Sequence, residues 1–411
     1  MPLLLGSTET LVSAKSSRVA IIGASALPVG KLTSTSAGIA DGLEHDFLAE
    51  VTARALAEAG ISAADVGAAI FTQNPPTTKQ LGFATFMMAQ LGISCTGLVT
   101  EVGQLGLTGG VAFDVAATQV SSGQADFALA LGVVRQSSGD PNVALDFGIR
   151  AVGDVNFQAP FGIPPIGWYA LDCVRYMEDN GVSRAEIAQV AVKSRANAAL
   201  NPLAQFRNPI SLAEVLEQRP IVEPLGLFEV PSRADGAICL VLAREETARE
   251  LGQASVVVEG RGFFHEGHHQ IADHPHDMTA FPSARSATES ALAMAGLSLK
   301  QIDLFELYAP CTITEILVTE AIGMFPEGEG HRALSEGRTT LEGAQPVNTS
   351  GGCLSRGHPP QLTGLYGLYE IREQLLGKAG KRQVKQAQHG LHTCELGNYN
   401  ATLAHVLGVC Q

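Results

Sequence analysis

The feature that most constrains the fold of this chain is a pattern that occurs twice, at residues 54–71 and at residues 290–307, an offset of 236. The two copies are RALAEAGISAADVGAAIF and SALAMAGLSLKQIDLFEL. Each combines an alanine-rich helix, a glycine suited to the position after the helix, a short connection and an apolar strand. The identical pairs are Ala55/Ala291, Leu56/Leu292, Ala57/Ala293, Ala59/Ala295, Gly60/Gly296 and Ser62/Ser298. The pattern indicates an internal duplication.

The elements around the two copies follow the same order. A strand is predicted before each copy, at residues 18–25 and 254–263, and a glycine-rich turn, a helix and a strand follow it. Such halves predict an α/β protein with five layers, α/β/α/β/α. We expect an N-terminal half at residues 1–253 and a C-terminal half at residues 254–411. A proline-rich segment, residues 138–229, interrupts the first half and is predicted to cover the substrate with helices of its own.

The charge, the hydrophobic runs and the cysteines of the chain indicate which kinds of partner and which cellular compartment to expect. The formal net charge of -14 argues against nucleic acid or an anionic membrane as the main partner. No run approaches the roughly 18 apolar residues of a membrane span, and the N-terminus lacks the basic region of a signal peptide. Seven scattered cysteines without a CxxC pair favour reduced thiols, so we expect a cytoplasmic protein.

The first glycine-rich turn, within TEVGQLGLTGGVAFDVAATQVSSG at residues 100–123, raises a chemical question. A turn that leads into a helix can present a nucleophile at the helix N-terminus. Between Glu101 and Asp114, however, Thr108 is the only side chain that offers one. Any chemistry at this turn must therefore proceed without a cysteine or serine.

Longer blocks of the chain resemble the thiolase superfamily, in particular its sterol-carrier-protein thiolase and lipid-transfer branch. The blocks are the segment from GWYALDCVRYMEDNGVSRAEIAQVAVKSRANAALNPLAQF to ADGAICLVL, then DLFELYAPCTITEILVTEAIGMFPEGEG, and NTSGGCLSRGHPPQLTG. The last is the most specific, because it fixes a turn and a histidine at a set spacing. The resemblance covers nearly the whole chain and implies the duplicated thiolase fold.

The resemblance also implies roles at single positions. The family's acyl-accepting cysteine stands two residues before a Ser-Gly or Thr-Gly pair, which here is Thr108-Gly109, so its place is taken by Gly106. Where the family has Asn or His followed by an acidic residue, this chain has Tyr308 and Ala309. The family's Cys-x-Gly near the C-terminus is matched only approximately by Cys394.

His358 and Tyr308 are the predicted catalytic residues. His358 keeps the family's histidine after Gly357, and a fixed N–H there would steady the negative charge of a thioester enolate; the alternative is a surface or capping histidine. Tyr308 would act as base for a hydroxyl, or else pack at a strand end. Gly106, Thr108, Gly357, Cys311, Cys353 and Cys394 are predicted to line the pocket, although a buried free cysteine is more often a small apolar core residue.

A histidine-rich loop, FFHEGHHQIADHPHD, contains His265, His268, His269, His274 and His276. With neighbouring carboxylates these side chains offer many ligands for a metal ion. Their spacing matches no metal motif, so a polar loop near the pocket entrance is the preferred interpretation and no metal site is predicted.

Several activities fit a thiolase relative without the cysteine. The resemblance favours retro-aldol cleavage of a β-hydroxyacyl-CoA, with Tyr308 as base and His358 as enolate stabiliser. The alternatives are an acyl-CoA acyltransferase or condensing enzyme, and a non-catalytic lipid-binding or scaffold subunit, against which the retained His358 argues. Coenzyme A is expected as part of the substrate, with no tightly bound cofactor. The resemblance further implies a homodimer and a small OB-fold and zinc-ribbon (DUF35-type) partner protein.

Overall fold

The computed structural model describes residues 17–36, 38–73, 80–267, 277–397 and 399–410. Its strands are β1 Val19–Ala26, β2 Ala68–Thr72, β3 Val99–Val102, β4 Phe127–Arg135, β5 Pro220–Val222, β6 Leu225–Gly226, β7 Asp235–Arg244, β8 Val256–His265, β9 Leu304–Glu306, β10 His389–Leu396 and β11 Ala401–Val409. Its helices are α1 Glu44–Ala59, α2 Phe83–Leu91, α3 Thr108–Ser121, α4 Pro141–Val152, α5 Pro165–Asn180, α6 Arg184–Ala199, α7 Leu212–Glu217, α8 Glu245–Glu250, α9 Pro282–Ala295, α10 Thr312–Ala321, α11 Gly330–Ser335, α12 Gly352–Ser355 and α13 Thr363–Leu375.

The main sheet repeats one strand pattern in its two halves. Its order is β3-β2-β4-β7-β1-β8-β11-β10-β9. In the first half β2 lies parallel to β3 and β4, and β7 lies antiparallel to β4 and β1. In the second half β9 is parallel to β10, and β11 is antiparallel to β10 and β8. A parallel bridge between Phe305 and Val347 stands where the first half has β3. The predicted duplication is therefore confirmed by the strand topology.

The residues that are identical in the two copies of the pattern make equivalent contacts in the two halves of the fold. Gly60 and Gly296 end α1 and α9 with the same left-handed backbone, φ 69° and ψ 25°. A Cβ atom on Gly23 of β1 would overlap the carbonyl oxygen of Ala55, and one on Gly260 of β8 would overlap that of Ala291. The glycines and alanines thus allow each helix to lie directly against its strand, which explains why the repeated pattern is rich in alanine.

The layers follow from these contacts. Helix α1 covers the outer face of the first half-sheet, and α9 and α10 cover that of the second. Helices α3 and α13 lie between the half-sheets and bury Phe113, Leu365 and Ile371. The five-layered α/β/α/β/α arrangement expected for a duplicated thiolase fold is therefore confirmed. Among the described residues, no helix is long and apolar enough to cross a membrane.

The two central helices meet through glycines. A Cβ atom on Gly109 would lie 2.9 Å from the backbone nitrogen of Leu365, and one on Gly364 would lie 2.8 Å from that of Gly110. A larger residue at these positions would push α3 and α13 apart. The close approach brings the glycine-rich turns before the two helices to the same side of the molecule.

The segment between β4 and β7 contributes helices that belong to neither repeat. Helix α4 begins with Asp140 as N-cap, whose carboxylate accepts a hydrogen bond from the backbone N–H of Asn142, and has Pro141 at its first position. Helices α4 and α5 lie over the end of the sheet where the two glycine-rich turns meet, and contribute residues to the cavity there. The expected inserted helices are therefore present; the boundaries of the two halves remain predictions.

Adding one methyl group at the strand–helix contact should destabilise the fold. We expect Gly260→Ala to lower the free energy of unfolding by about 1–3 kcal/mol, because the new Cβ overlaps a backbone oxygen that cannot rotate away. The thermal unfolding midpoint measures the effect. As a control, a Cβ on Gly148 of α4 would lie 3.5 Å from Pro165, an ordinary contact, so Gly148→Ala should not lower the midpoint. Equal midpoints for both variants would contradict this account of the packing.

Candidate functional site

One cavity of about 410 Å³ collects the residues that the sequence predicts to be catalytic. Gly106, from the first glycine-rich turn, lies on its wall with Tyr308, from the segment after β9, and His358, from the turn before α13. These positions are distant in the chain but converge because α3 and α13 pack side by side. The prediction of a shared pocket for the two turns agrees with this geometry.

Gly106 is enclosed so tightly that no side chain fits there. A Cβ atom on this residue would overlap the carbonyl oxygen of Glu395 and lie 2.9 Å from Tyr308 Oη. The preceding Leu105 has a φ of +49°, a conformation that is strained for a branched residue. The turn therefore presents backbone to the cavity, and a nucleophile at position 106 would require the neighbouring strand end to move.

Tyr308 and His358 form a hydrogen-bonded pair. Tyr308 Oη lies 2.7 Å from His358 Nε2, and the rings meet edge to face with centroids 5.4 Å apart. The Tyr308 backbone is held on both sides, because its N–H donates to Thr393 Oγ1 at 3.3 Å and its carbonyl oxygen accepts a hydrogen bond from the Tyr399 hydroxyl. These bonds fix the phenol in one place on the cavity wall.

The turn that carries His358 is fixed by its backbone. Gly357 has a φ of +110°, which favours glycine, and a Cβ there would lie 2.8 Å from Gln205 Oε1. His358 forms a parallel bridge with Arg233, just before β7. The Gln205 N–H donates to the Arg356 carbonyl oxygen at 2.9 Å. Gly357 thus fixes the backbone before His358 and packs against Gln205, and it does not line the cavity.

Both members of the pair are uncharged near neutral pH. Burial, aided by the charge of Arg356, lowers the pKa of His358 to about 3. Burial, aided by the charge of Glu395, raises the pKa of Tyr308 well above its ordinary value of 10. A phenol with a raised pKa keeps its proton, so the environment favours Tyr308 as a hydrogen-bond donor and disfavours the base assigned to it from the sequence.

Glu395, at the end of β10, is a site residue that the sequence motifs did not reveal. It lines the cavity, is only 2% exposed, and burial raises its pKa to about 7. A sequence signal was present: in CELG the residue two positions before Gly397, the spacing of the family's Cys-x-Gly, is Glu395, whereas the motif was matched approximately to the neighbouring Cys394. A carboxyl group with this pKa can accept or donate a proton at neutral pH.

Four predicted pocket residues lie behind the cavity wall. Thr108 is fully buried, and its Oγ1 accepts a hydrogen bond from the Gln104 N–H at 2.7 Å. Cys353 and Cys394 pack with Leu107 and Leu403 beneath Tyr308, and Cys311 packs in the core around α10. Burial raises the pKa of each thiol, that of Cys353 to about 12, so these cysteines carry no thiolate at neutral pH.

Most of the histidine-rich loop falls outside the described residues, including His268, His269, His274 and His276. His265 is described, and its Nδ1 accepts a hydrogen bond from the Gly267 N–H at 2.9 Å. Within the described ranges no group of three His, Cys, Asp or Glu side chains is placed to hold a metal ion. The site geometry above involves none of these loop residues.

The rest of the cavity wall is mostly apolar. Helices α4 and α5 and the residues before α5 contribute Leu145, Phe147, Val152, Pro164 and Ile166. The polar side chains that line the cavity are Gln136, Tyr169, Ser232, Arg233, Tyr308, His358, Gln361 and Glu395. The cavity therefore offers an apolar surface for a hydrocarbon group next to a small set of proton donors and acceptors.

Two protein-family models match the chain. The model described as "Thiolase, N-terminal domain" matches residues 19–222, and the one described as "Thiolase C-terminal domain-like" matches residues 265–409. The first match includes Gly106. The second includes Tyr308, His358 and Glu395, so the cavity is built where the two matched regions meet.

Individual proteins match as well. An acetyl-CoA acetyltransferase of Methanothermobacter thermautotrophicus is 32% identical over 94% of this chain and 98% of that protein. The sterol carrier protein 2 of Oryctolagus cuniculus is 32% identical over 57% of this chain and 43% of its own length. Among solved structures, the Ltp2-ChsH2(DUF35) aldolase superposes with a TM-score of 0.82 at 25% identity, covering 96% of this chain and 98% of the other.

Removing the Glu395 carboxyl should stabilise the protein above neutral pH. Folding raises the pKa of this group from an ordinary 4.5 to about 7, so its ionisation between these values disfavours the folded state. We expect Glu395→Gln to match the wild type in thermal stability near pH 4.5 and to exceed it above pH 7, by about 3 kcal/mol in unfolding free energy. The exposed Glu250→Gln is the control and should show no such trend. A difference that is independent of pH would contradict the prediction.

Proposed function

This chain belongs to the thiolase superfamily, in its branch of sterol-carrier-protein thiolases and lipid-transfer proteins, and we propose that it cleaves a β-hydroxyacyl-CoA by a retro-aldol reaction. It is an enzyme that acts on acyl-CoA thioesters, as an acyltransferase or as a lyase. The proposal selects the lyase and a mechanism without a covalent enzyme intermediate.

The observation that supports this proposal is the closed space at Gly106. An acyl-enzyme needs a nucleophile at the cavity wall, and a side chain at this position would overlap the Glu395 carbonyl oxygen. The cysteines near the cavity are buried behind the wall and protonated. Retro-aldol cleavage needs no nucleophile, because the carbon–carbon bond breaks within the substrate itself.

The Tyr308–His358 pair supplies what the cleavage does require at the thioester. When the bond between the α- and β-carbons breaks, its electrons move onto the thioester oxygen as an enolate, and the β-carbon becomes a ketone. In the tautomer with a proton on His358 Nε2, the histidine donates to Tyr308 Oη and the phenolic O–H is free to donate to that oxygen. This chain of two neutral hydrogen bonds, from the histidine to the phenol and from the phenol to the thioester oxygen, stabilises the developing charge. The base for the β-hydroxyl must then be another group.

The apolar wall supports a substrate with a bulky hydrocarbon group on the β-carbon. Residues such as Leu145, Phe147 and Ile166 would contact that group, while the thioester lies against the Tyr308–His358 pair. Coenzyme A enters as part of the substrate, and the proposed chemistry uses no tightly bound cofactor.

A second candidate is an acyltransferase or condensing enzyme that works by direct attack. The acetyl-CoA acetyltransferase relative favours it, because the match spans 98% of that protein. The same enolate stabilisation would serve a condensation between two thioesters. The products separate the two candidates, since only the aldolase releases a ketone without a second acyl-CoA.

We also propose that the enzyme works as an assembly. The Ltp2-ChsH2(DUF35) aldolase, which shares this fold, pairs an aldolase with a DUF35 protein, and we extend such a partner to this chain. A homodimer is proposed on the family resemblance alone. Activity is therefore best measured with and without a DUF35-type protein.

Product analysis tests the proposed reaction. Hydroxycyclohexylacetyl-CoA, with its hydroxyl on the ring carbon that carries the acetyl-CoA arm, should give equal amounts of cyclohexanone and acetyl-CoA. Intact-protein mass spectrometry after incubation with acetyl-CoA should detect no added acetyl group, because Gly106 has no side chain. An acylated peptide at Cys311, Cys353 or Cys394, with activity abolished by the matching Cys→Ala variant, would establish an acyltransferase with a relocated thiol instead.

Substitution of the donor pair should affect turnover more than substrate binding. We expect His358→Ala to lower kcat by about 10²- to 10³-fold with little change in KM, because the Tyr308 hydroxyl then loses the hydrogen bond that orients it toward the enolate-like transition state. Tyr308→Phe should lower kcat similarly, since it removes only the hydroxyl. Tyr369→Phe, on α13 outside the cavity, is the matched control and should behave as wild type. Full activity in either cavity variant would exclude the pair from the chemistry.

A further inference from the structure

We propose that Glu395 is the catalytic base of this cavity, which takes the proton from the β-hydroxyl and returns it to the α-carbon. The inference rests on the proposed retro-aldol function and assigns the proton transfer that the Tyr308–His358 pair leaves open.

The first observation is the place of the carboxyl group. Glu395 ends β10 and lines the same cavity as Gly106, Tyr308 and His358. Its carbonyl oxygen and Tyr308 Oη are both close neighbours of Gly106. The Tyr308 phenol and the end of β10 therefore meet beside Gly106, at one part of the cavity wall.

The second observation is how weakly the carboxylate is held. Tyr169 of α5 donates its hydroxyl to Oε1 at 3.3 Å, and the Tyr399 N–H donates to Oε2 at 3.3 Å, both long for bonds to a carboxylate. Within the described residues Glu395 forms no ion pair, unlike other buried carboxylates such as Glu370 with Arg382 and Glu315 with Lys193. Asp235 and Glu320 are also buried without a cation in the described part of the chain, but each accepts three hydrogen bonds of 2.5–3.1 Å. Glu395 is thus held less firmly than these carboxylates.

The groups around Glu395 do not change their protonation state near neutral pH, whereas Glu395 does. Besides Arg233, which lines the same cavity, the ionisable side chains around it are Tyr169, Tyr308 and Tyr399 together with Cys353 and Cys394. Burial raises the pKa of the last four, which therefore stay protonated and uncharged. His358, across the cavity, is neutral because its pKa is lowered to about 3. The proton that moves near neutral pH is therefore the one on Glu395, whose pKa is about 7.

The proposed step balances in protons and electrons. Ionised Glu395 accepts the β-hydroxyl proton, the oxygen's electron pair forms the ketone double bond, and the α–β bond pair moves into the thioester enolate. The enolate α-carbon then takes the proton back from Glu395, which yields acetyl-CoA and the free carboxylate. No oxidant, reductant or metal enters the cycle.

The kinetic test uses hydroxycyclohexylacetyl-CoA with the full chain, and with a DUF35-type protein if wild-type activity requires it. Glu395→Gln keeps the size of the side chain and should lower kcat by at least about 10²-fold. Wild-type kcat/KM should rise with pH to a plateau above about 7, and the variant's residual activity should lack this rise. Glu395→Asp should recover part of the lost rate. The control is Glu373→Gln, whose carboxyl lies outside the cavity and also has a raised pKa.

A partial reaction separates failure of this inference from failure of the proposed function. A base that serves the enolate also exchanges the methyl protons of acetyl-CoA with D₂O, which mass spectrometry detects without any carbon–carbon cleavage. Exchange by wild type and its loss in Glu395→Gln would support the base even if no aldol substrate is cleaved. If the wild type cleaves the substrate and the folded Glu395→Gln variant is fully active, the role of Glu395 as base is overturned but the retro-aldol function is not. Wild type that neither cleaves nor exchanges would overturn both proposals.

Discussion

The contact between α3 and α13 is the constraint on which the rest of the molecule depends. Gly109 and Gly364 let the two central helices touch backbone to backbone. Each helix begins directly after a glycine-rich turn, so their side-by-side packing places both turns at one cavity. The half-sheets can then cover the helix pair from both sides, with the alanine-rich helices α1 and α9 closing the outer faces. The contact between α3 and α13 thus determines both the layered fold and the position of the cavity.

The chemistry of the cavity follows from what the packing excludes. At Gly106 the close approach of the Glu395 backbone leaves no room for a nucleophile, and Leu105 accepts a strained conformation to keep the turn in place. The same enclosure keeps Tyr308 and His358 neutral, because a charged form of either would lose its water, and the charges of Glu395 and Arg356 add to this effect. Burial therefore turns a potential acid–base pair into a pair of hydrogen-bond donors.

The sequence allowed the fold and part of the site to be predicted, for physical reasons that differ between residues. The duplication was visible because helix caps and strand–helix contacts require particular small residues, such as Gly60 and Gly296. His358 was visible because its turn constrains the residues around it. Glu395 was missed because the Cys-x-Gly spacing was matched to the neighbouring Cys394, and because no local pattern encodes burial without a cation. The cysteines were placed in the pocket for their type, whereas packing puts them behind its wall.

Most of the apolar residues that line the cavity come from a different segment of the chain than Gly106, Tyr308, His358 and Glu395. They come from α4, α5 and the chain before α5, which belong to neither repeat, whereas Gly106, Tyr308, His358 and Glu395 are fixed by the duplicated core. Substitutions in the inserted helices can therefore reshape the space for the hydrocarbon group while the reacting groups keep their positions. Relatives with this architecture can thus differ in substrate range through changes in α4, whereas α5 also contributes Cys173 and Tyr176 to the core.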